Sequence, residues 1–81
     1  MTIEDAIHRA LALHKAPNTA VARADADVVI PMLASELSED DELRILADRW
    51  MEDPASIGRR ARDLAVELAR RVAALRSEEV G

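Results

Sequence analysis

Apolar residues recur at helical spacing along most of the chain, and this pattern predicts helices separated by short polar interruptions. In the first segment Ile3 and Ile7 share one face, and Thr2 just before them is a good N-cap residue. Pro17 then interrupts the pattern, because proline cannot continue a helix without losing a hydrogen bond. We therefore expect helix 1 to cover about residues 3–15.

The second apolar segment wraps more than half of its helical circumference and has a proline in its middle. Asn18 or Thr19 can cap it, it extends to about Leu37, and its wide apolar surface predicts the most buried helix. Pro31 costs a helix about 3 kcal/mol, so a kinked continuous helix competes with a break that starts a new helix there. A break would make Ile30 the N-cap, a poor choice, with no turn-forming residue beside it. The sequence favours helix 2 kinked at Pro31.

The third segment opens with the strongest helix-start signal in the chain, the acidic sequence SEDDEL. Ser38 is the expected N-cap and Asp41 occupies the capping-box position, so helix 3 is predicted over about residues 39–52. Ile45 points away from the apolar stripe of this helix. The stripe consists of Leu43, Leu46, Ala47 and Trp50. Trp50, at its centre, is expected to anchor the core.

The fourth segment begins at a proline that follows an aspartate, a common way to start a helix. With Asp53 as N-cap and Pro54 at the first helical position, helix 4 is predicted to extend to about Ser77. Its apolar stripe comprises Ile57, Ala61, Leu64, Leu68, Val72 and Leu75. Residues 1–81 are therefore predicted to form a single all-α domain, a small four-helix bundle with a kinked helix 2 and a long C-terminal helix 4.

Composition limits both the core and the compartment. The chain has 81 residues, one Trp, no Phe, no Tyr and no Cys, so its core has few bulky side chains and a second copy could complete it. Without cysteine it has neither disulfides nor thiolate metal ligands. No apolar segment approaches the length of a membrane span, and the N-terminal sequence does not resemble a secretory signal. We therefore expect a cytoplasmic protein.

Charge is unevenly distributed along the chain. The net charge is −5, yet residues 35–53 hold eight acids and two bases (−6), and residues 54–77 hold two acids and six bases (+4). Adjacent acidic and basic helices with complementary faces are the simplest interpretation. The net negative charge argues against nonspecific binding to nucleic acids or anionic membranes.

No set of residues predicts an enzyme. His8 and Glu4 stand four residues apart on helix 1, but one carboxylate–histidine pair is too few ligands for a metal site. The acids of SEDDEL are explained by the positive end of the helix dipole. The sequence offers no nucleophile with a base and an orienting group, so we expect no catalytic, cofactor or metal site.

The arginines near the start of helix 4 give the alternative function. Helix 3, a turn and basic helix 4 occur in the order of a helix-turn-helix DNA-binding regulator, with Arg59, Arg60 and Arg62 contacting phosphates. Acids in the turn, and the lack of aromatic residues among the arginines, argue against it. We expect Arg59 to pair with Asp63.

A second side of helix 4 suggests a protein partner. Small residues there would let another helix approach closely, and Arg62 is expected to project beside them, away from Asp63 and Glu67. The predicted partner-binding residues are Ile45, Arg62, Val66, Ala69 and Ala73, with Gly58 and Ala65 on the same small-residue side. The predicted function is a small non-enzymatic protein–protein interaction module that self-associates, as a dimer, through helices 3 and 4.

Overall fold

The computed structural model describes residues 1–15 and 20–80, with the backbone alone for 78–80. The helices of these ranges are α1 (Ile3–Ala12), α2 (Ala20–Ala34), α3 (Glu42–Glu52) and α4 (Ala61–Val80). The described ranges contain no β-strand. α4 packs against α1 and α2, and α3 packs mainly on α2. The all-α four-helix bundle is therefore confirmed.

α1 begins as predicted and ends earlier. The Asp5 N–H donates to the Thr2 hydroxyl at 3.1 Å, so Thr2 is the N-cap. The helix ends at Ala12, and residues 13–15 form a turn in which the Leu13 N–H donates to the Ala10 carbonyl at 3.1 Å. The predicted stop at Pro17 and Asn18, and the predicted caps of helix 2 at Asn18 or Thr19, lie outside the described residues.

α2 is continuous through its proline. Pro31 lies inside Ala20–Ala34, and the Ser35 N–H donates to its carbonyl oxygen at 3.2 Å. Pro31 is exposed, so the Asp27 carbonyl that loses a partner lies on the side where water can solvate it. The alternative, a new helix starting at Pro31, is wrong.

The end of α2 is capped by a side chain from the next helix. α2 ends at Ala34, before the predicted Leu37. The Arg44 Nη1 donates to the carbonyl oxygens of Ala34 (3.3 Å) and Leu37 (3.1 Å). The Ala34 carbonyl also accepts from the Leu37 N–H at 3.0 Å in the turn that follows α2, and a cation suits the negative end of the helix dipole. Arg44 therefore fixes the start of α3 beside the end of α2.

α3 begins later than predicted because a different residue caps it. Asp41, not Ser38, is the N-cap, and its carboxylate accepts from the Leu43 N–H at 2.9 Å. The Asp41 N–H donates to the Ser38 carbonyl at 3.0 Å, so these residues form a turn before the helix. Aspartate bonds readily to the backbone two residues on, and here that local bond excludes a helical conformation at Asp41.

The predicted start of helix 4 at Asp53 and Pro54 is wrong. The Asp53 side chain accepts from the Ala55 N–H at 3.2 Å, and the Ser56 N–H donates to the Asp53 carbonyl at 3.0 Å. These bonds close an isolated turn. Gly58 then has φ +65, outside the helical region and accessible to glycine at little cost. The helix can begin only after this residue, and it begins at Ala61.

The core surrounds α4. Leu64, Leu68 and Val72 are buried, as the predicted stripe requires, and Trp50 is confirmed as a core residue, 5% exposed. The buried part of the predicted α4 stripe ends at Val72, because Leu75 is exposed. Among the described residues, no helix is both long enough and apolar enough to cross a bilayer.

Candidate functional site: an arginine-lined cavity

The predicted small-residue side of helix 4 is not an outer surface. Val66 is 5% exposed and Ala69 is 0% exposed, and both belong to the core of the single chain. Ala73 is half-buried and packs against the same core. The reason is that α4 packs against both α1 and α2, which together cover a wider sector of it than the predicted stripe. Of these residues, only Ile45 on α3 is exposed as expected, at 43%.

Arg62 also lies differently from the prediction. It is half-buried, and its Nε is 3.9 Å from the Asp63 carboxylate, so it does not project away from that acid. Arg59 pairs with Glu67, one helical turn beyond the predicted Asp63. Because Arg59 lies before the start of α4, the i+4 spacing that predicted its pairing with Asp63 does not apply.

Arg62 instead belongs to a cavity of about 220 Å³ where three elements meet. α2 contributes its first turns, α3 contributes its last turn, and the segment leading into α4 closes the third side. The lining residues are Ala22, Arg23, Trp50, Pro54, Arg59, Arg60, Ala61 and Arg62. Four of these are arginines and none is acidic. We call this site the arginine-lined cavity.

Trp50 belongs both to the lining of the cavity and to the hydrophobic core. Its ring is almost entirely buried, and the guanidinium carbon of Arg23 lies 5.5 Å from the ring centroid. At that distance the cation interacts favourably with the electron-rich ring face. The contact places Arg23, from the start of α2, against the end of α3.

Three of the arginines have a carboxylate nearby. Arg23 pairs with Asp27 at 3.1 Å. Arg59 pairs with Glu67 and Arg62 approaches Asp63, as described above. In each pair at least one of the two side chains is exposed. Exposed ion pairs contribute at most about 1 kcal/mol to stability, because water and salt screen them. A ligand carboxylate can therefore share the arginines at small cost.

Arg60 differs from the other three cavity arginines in its pairing. It is exposed, and it takes part in none of the ion pairs formed within residues 1–15 and 20–77. It directly precedes Ala61, where α4 begins, so the positive end of the α4 dipole adds to the potential there. The cavity is thus locally cationic in a protein of net charge −5.

The opposite end of the α2–α3 pair is acidic. Because Arg23 meets Trp50 at one end and Arg44 binds Ala34 at the other, α2 and α3 are antiparallel. The turn that joins them therefore lies far from the cavity. We call it the acidic turn, and it comprises Glu39, Asp40, Asp41 and Glu42.

The acidic side chains of this turn differ in their contacts with the rest of the protein. Asp41 is half-buried, caps α3 and has its carboxylate 3.9 Å from Arg71. Glu39, Asp40 and Glu42 are exposed and form none of the ion pairs of the described part. The turn therefore presents solvated carboxylates to any partner.

A second, wider depression has mixed charge. It measures about 470 Å³ and lies between α3 and α4. Two acids and three bases line it together: Glu42, Glu67, Arg59, Arg70 and Arg71. It has no consistent preference for either sign, and the arginine-lined cavity is the better candidate for a specific site.

Only part of the lining of this cavity can be predicted from the sequence. The sequence indicates the arginines from Arg59 to Arg62, but it does not indicate Arg23, because no local spacing connects Arg23 to Trp50. Only the antiparallel packing of α2 and α3 brings those two residues together. No group of three or more potential metal ligands occurs among the described residues. No protein-family model matches the chain, and neither the curated proteins nor the solved structures gave a significant match.

Proposed function

We propose that this chain is a small non-enzymatic protein–protein interaction module that binds an acidic segment of a protein at the arginine-lined cavity. The observation that carries this proposal is the convergence of Arg23, Arg59, Arg60 and Arg62 on a cavity without an acidic lining residue. Guanidinium groups bind carboxylates with paired hydrogen bonds, and they remain charged at any physiological pH. An acidic polypeptide segment therefore fits this site.

The burial of the side chains supports a binding role over a catalytic one. Among the described residues no charged or polar side chain is fully buried. Catalytic acids, bases and nucleophiles are usually activated by burial or by a specific charged neighbour. Charged groups that stay in water are suited to reversible electrostatic contact.

We place DNA binding by a helix-turn-helix second. A recognition helix must present its N-terminal part to the major groove, and here Leu64, Ala65, Val66 and Leu68 on that part of α4 are buried. Residues 53–60 separate α3 from α4, which is longer than the usual turn of three or four residues. The packing favours a protein ligand.

Trp50 provides a direct test because it is the only tryptophan and it lines the cavity. We expect a hexaglutamate peptide, added to dilute protein at low ionic strength, to change the Trp50 fluorescence in a saturable way. Raising the salt to about 0.5 M should abolish the change, since it shortens the screening length several-fold. Hexaglutamine is the uncharged control peptide.

Two arginine variants locate the binding. Arg60→Ala removes the exposed cavity charge that lies outside the ion pairs of the described residues, and it should weaken hexaglutamate binding roughly twofold to fivefold, as for an exposed ion pair of about 0.5–1 kcal/mol. Arg49→Ala removes an exposed arginine of α3 outside the cavity and should leave the affinity unchanged. Equal effects of both variants, or no response to hexaglutamate, would overturn the proposal. A response to duplex DNA alone would favour the second candidate.

A further inference from the structure

The arginine-lined cavity and the acidic turn cannot meet within one chain. α2 has 15 residues, so about 22 Å of helix separates its two ends. Trp50 lies at the cavity end of the α2–α3 pair, and the Arg44 contacts with α2 lie at the acidic end. The chain therefore displays opposite charges at opposite ends, and only a second molecule can bring them together.

We propose that the acidic segment bound at the cavity is the acidic turn of a second copy of this chain. This inference rests on the proposed function, since it names the partner of the same site. When two copies lie with their α2 helices antiparallel, each places its acidic turn at the cavity of the other. The same contact forms twice around a two-fold axis, so the assembly closes as a dimer.

Charge complementarity identifies the residues in contact. Glu39 and Asp40 are the exposed acids at the tip of the turn, and Arg60 is the exposed cavity arginine outside the ion pairs of the described part. Asp41 is already committed to capping α3. The partner copy thus supplies carboxylates that the cavity lacks.

The outer face of α2 lies between the two charged ends and is apolar. Val21 is 71% exposed and Val28 is 51% exposed, and they stand two helical turns apart on one face. Ala24 and Pro31 are exposed on the same face. An antiparallel pair of α2 helices covers this face from both copies. Burial of apolar surface then supplies affinity, while the charged ends fix the orientation.

The test is the mass of the full chain in solution with one charge reversed at each end. The wild-type protein should have a mass near twice 8.9 kDa by light scattering at low salt. Arg60→Glu makes the cavity mouth acidic, and Asp40→Arg makes the acidic turn basic. Each variant alone should dimerise about tenfold more weakly or worse, because each of the two equivalent contacts now opposes like charges.

Mixing the two variants gives the decisive measurement. In the variant–variant pair of an equimolar mixture of Arg60→Glu and Asp40→Arg, the two reversed charges meet at one contact and the native Arg60 and Asp40 meet at the other. Both contacts then join opposite charges, so dimer mass should recover. Both side chains are exposed, so circular dichroism should show unchanged helix content and provide the folding control. Arg49→Glu, outside the cavity, should dimerise like the wild type.

The outcomes separate this inference from the proposed function. A mass of 8.9 kDa at every concentration, with Trp50 still responding to hexaglutamate, overturns the dimer and keeps the acidic-segment site. A dimer that neither reversal weakens uses another surface and also overturns the inference. Failure of the peptide response together with a wild-type mass of 8.9 kDa overturns both. Weakening by each reversal and recovery on mixing supports both.

Discussion

α4 and α3 are attached to the bundle by different kinds of contact. α4 is enclosed by apolar packing against α1 and α2. Its buried residues are Ala61, Leu64, Ala65, Val66, Leu68, Ala69 and Val72. α3 buries only Ala47 and Trp50. The rest of its attachment combines the half-buried Leu43 and Leu46, which pack against the core, with the Arg44 bonds to α2 and the Asp41 cap.

This difference matters because the candidate site is built where the two kinds of attachment meet. The cavity takes Trp50 from α3, Arg59 and Arg60 from the segment before α4, and Arg62 from the first turn of α4. α3 buries fewer side chains than α4, and elements with fewer buried contacts open at lower free energy, so α3 should detach while the packing around α4 persists. As denaturing conditions become stronger, binding at the cavity should therefore be lost before the rest of the bundle unfolds.

The largest expected effect comes from the α4 core. Leu68 is fully buried, and Leu68→Ala leaves a cavity that neighbouring side chains cannot fill completely. We expect the free energy of unfolding to fall by about 2–5 kcal/mol, enough to unfold much of the protein at 37 °C. Thermal denaturation followed by circular dichroism measures this. Leu75→Ala on the same helix truncates a side chain that is 36% exposed and should cost clearly less, about 1 kcal/mol.

A smaller and more local effect is expected at Arg44. Arg44→Ala removes both bonds to the α2 carbonyls and should lower the free energy of unfolding by about 1–2 kcal/mol, since the side chain is partly exposed. Hydrogen exchange should accelerate at the amides of α3 more than at those of α4. Arg49→Ala, which removes an exposed arginine of the same helix, is the matched control. Equal acceleration across both helices would mean that α3 and α4 unfold as one unit.

The parts of the fold that could be predicted from sequence are those set by apolar periodicity. The stripe through Leu64, Leu68 and Val72 identified α4 and its inward side, and the position of Trp50 identified a core anchor. What periodicity misses is how many neighbours a helix has. A single stripe predicts that Val66 and Ala69 are exposed, but α4 packs against two helices, and the second neighbour widens its buried sector to include both residues.

The candidate site was less predictable because it depends on tertiary packing. The sequence indicates a basic segment from Arg59 to Arg62, yet the partner of Arg59 and the depth of Arg62 depend on where α4 begins. Gly58 decides that start through its positive φ, and one glycine in a sequence does not reveal its φ. The contribution of Arg23 needs the antiparallel packing of α2 and α3.

The smallest expected effect compares the two residues that competed to cap α3. Both Ser38 and Asp41 are favourable N-cap residues, and local propensity does not separate them. In the structure the Asp41 carboxylate accepts the Leu43 N–H and lies 3.9 Å from Arg71, so it links the start of α3 to α4. Asp41→Ala should therefore lower the free energy of unfolding by about 0.5–2 kcal/mol, and Ser38→Ala should change it by less than about 0.5 kcal/mol. Urea denaturation of both variants, at a protein concentration low enough to keep them monomeric, measures the difference. A larger loss in Ser38→Ala would place the start of α3 before Asp41 and shorten the acidic turn.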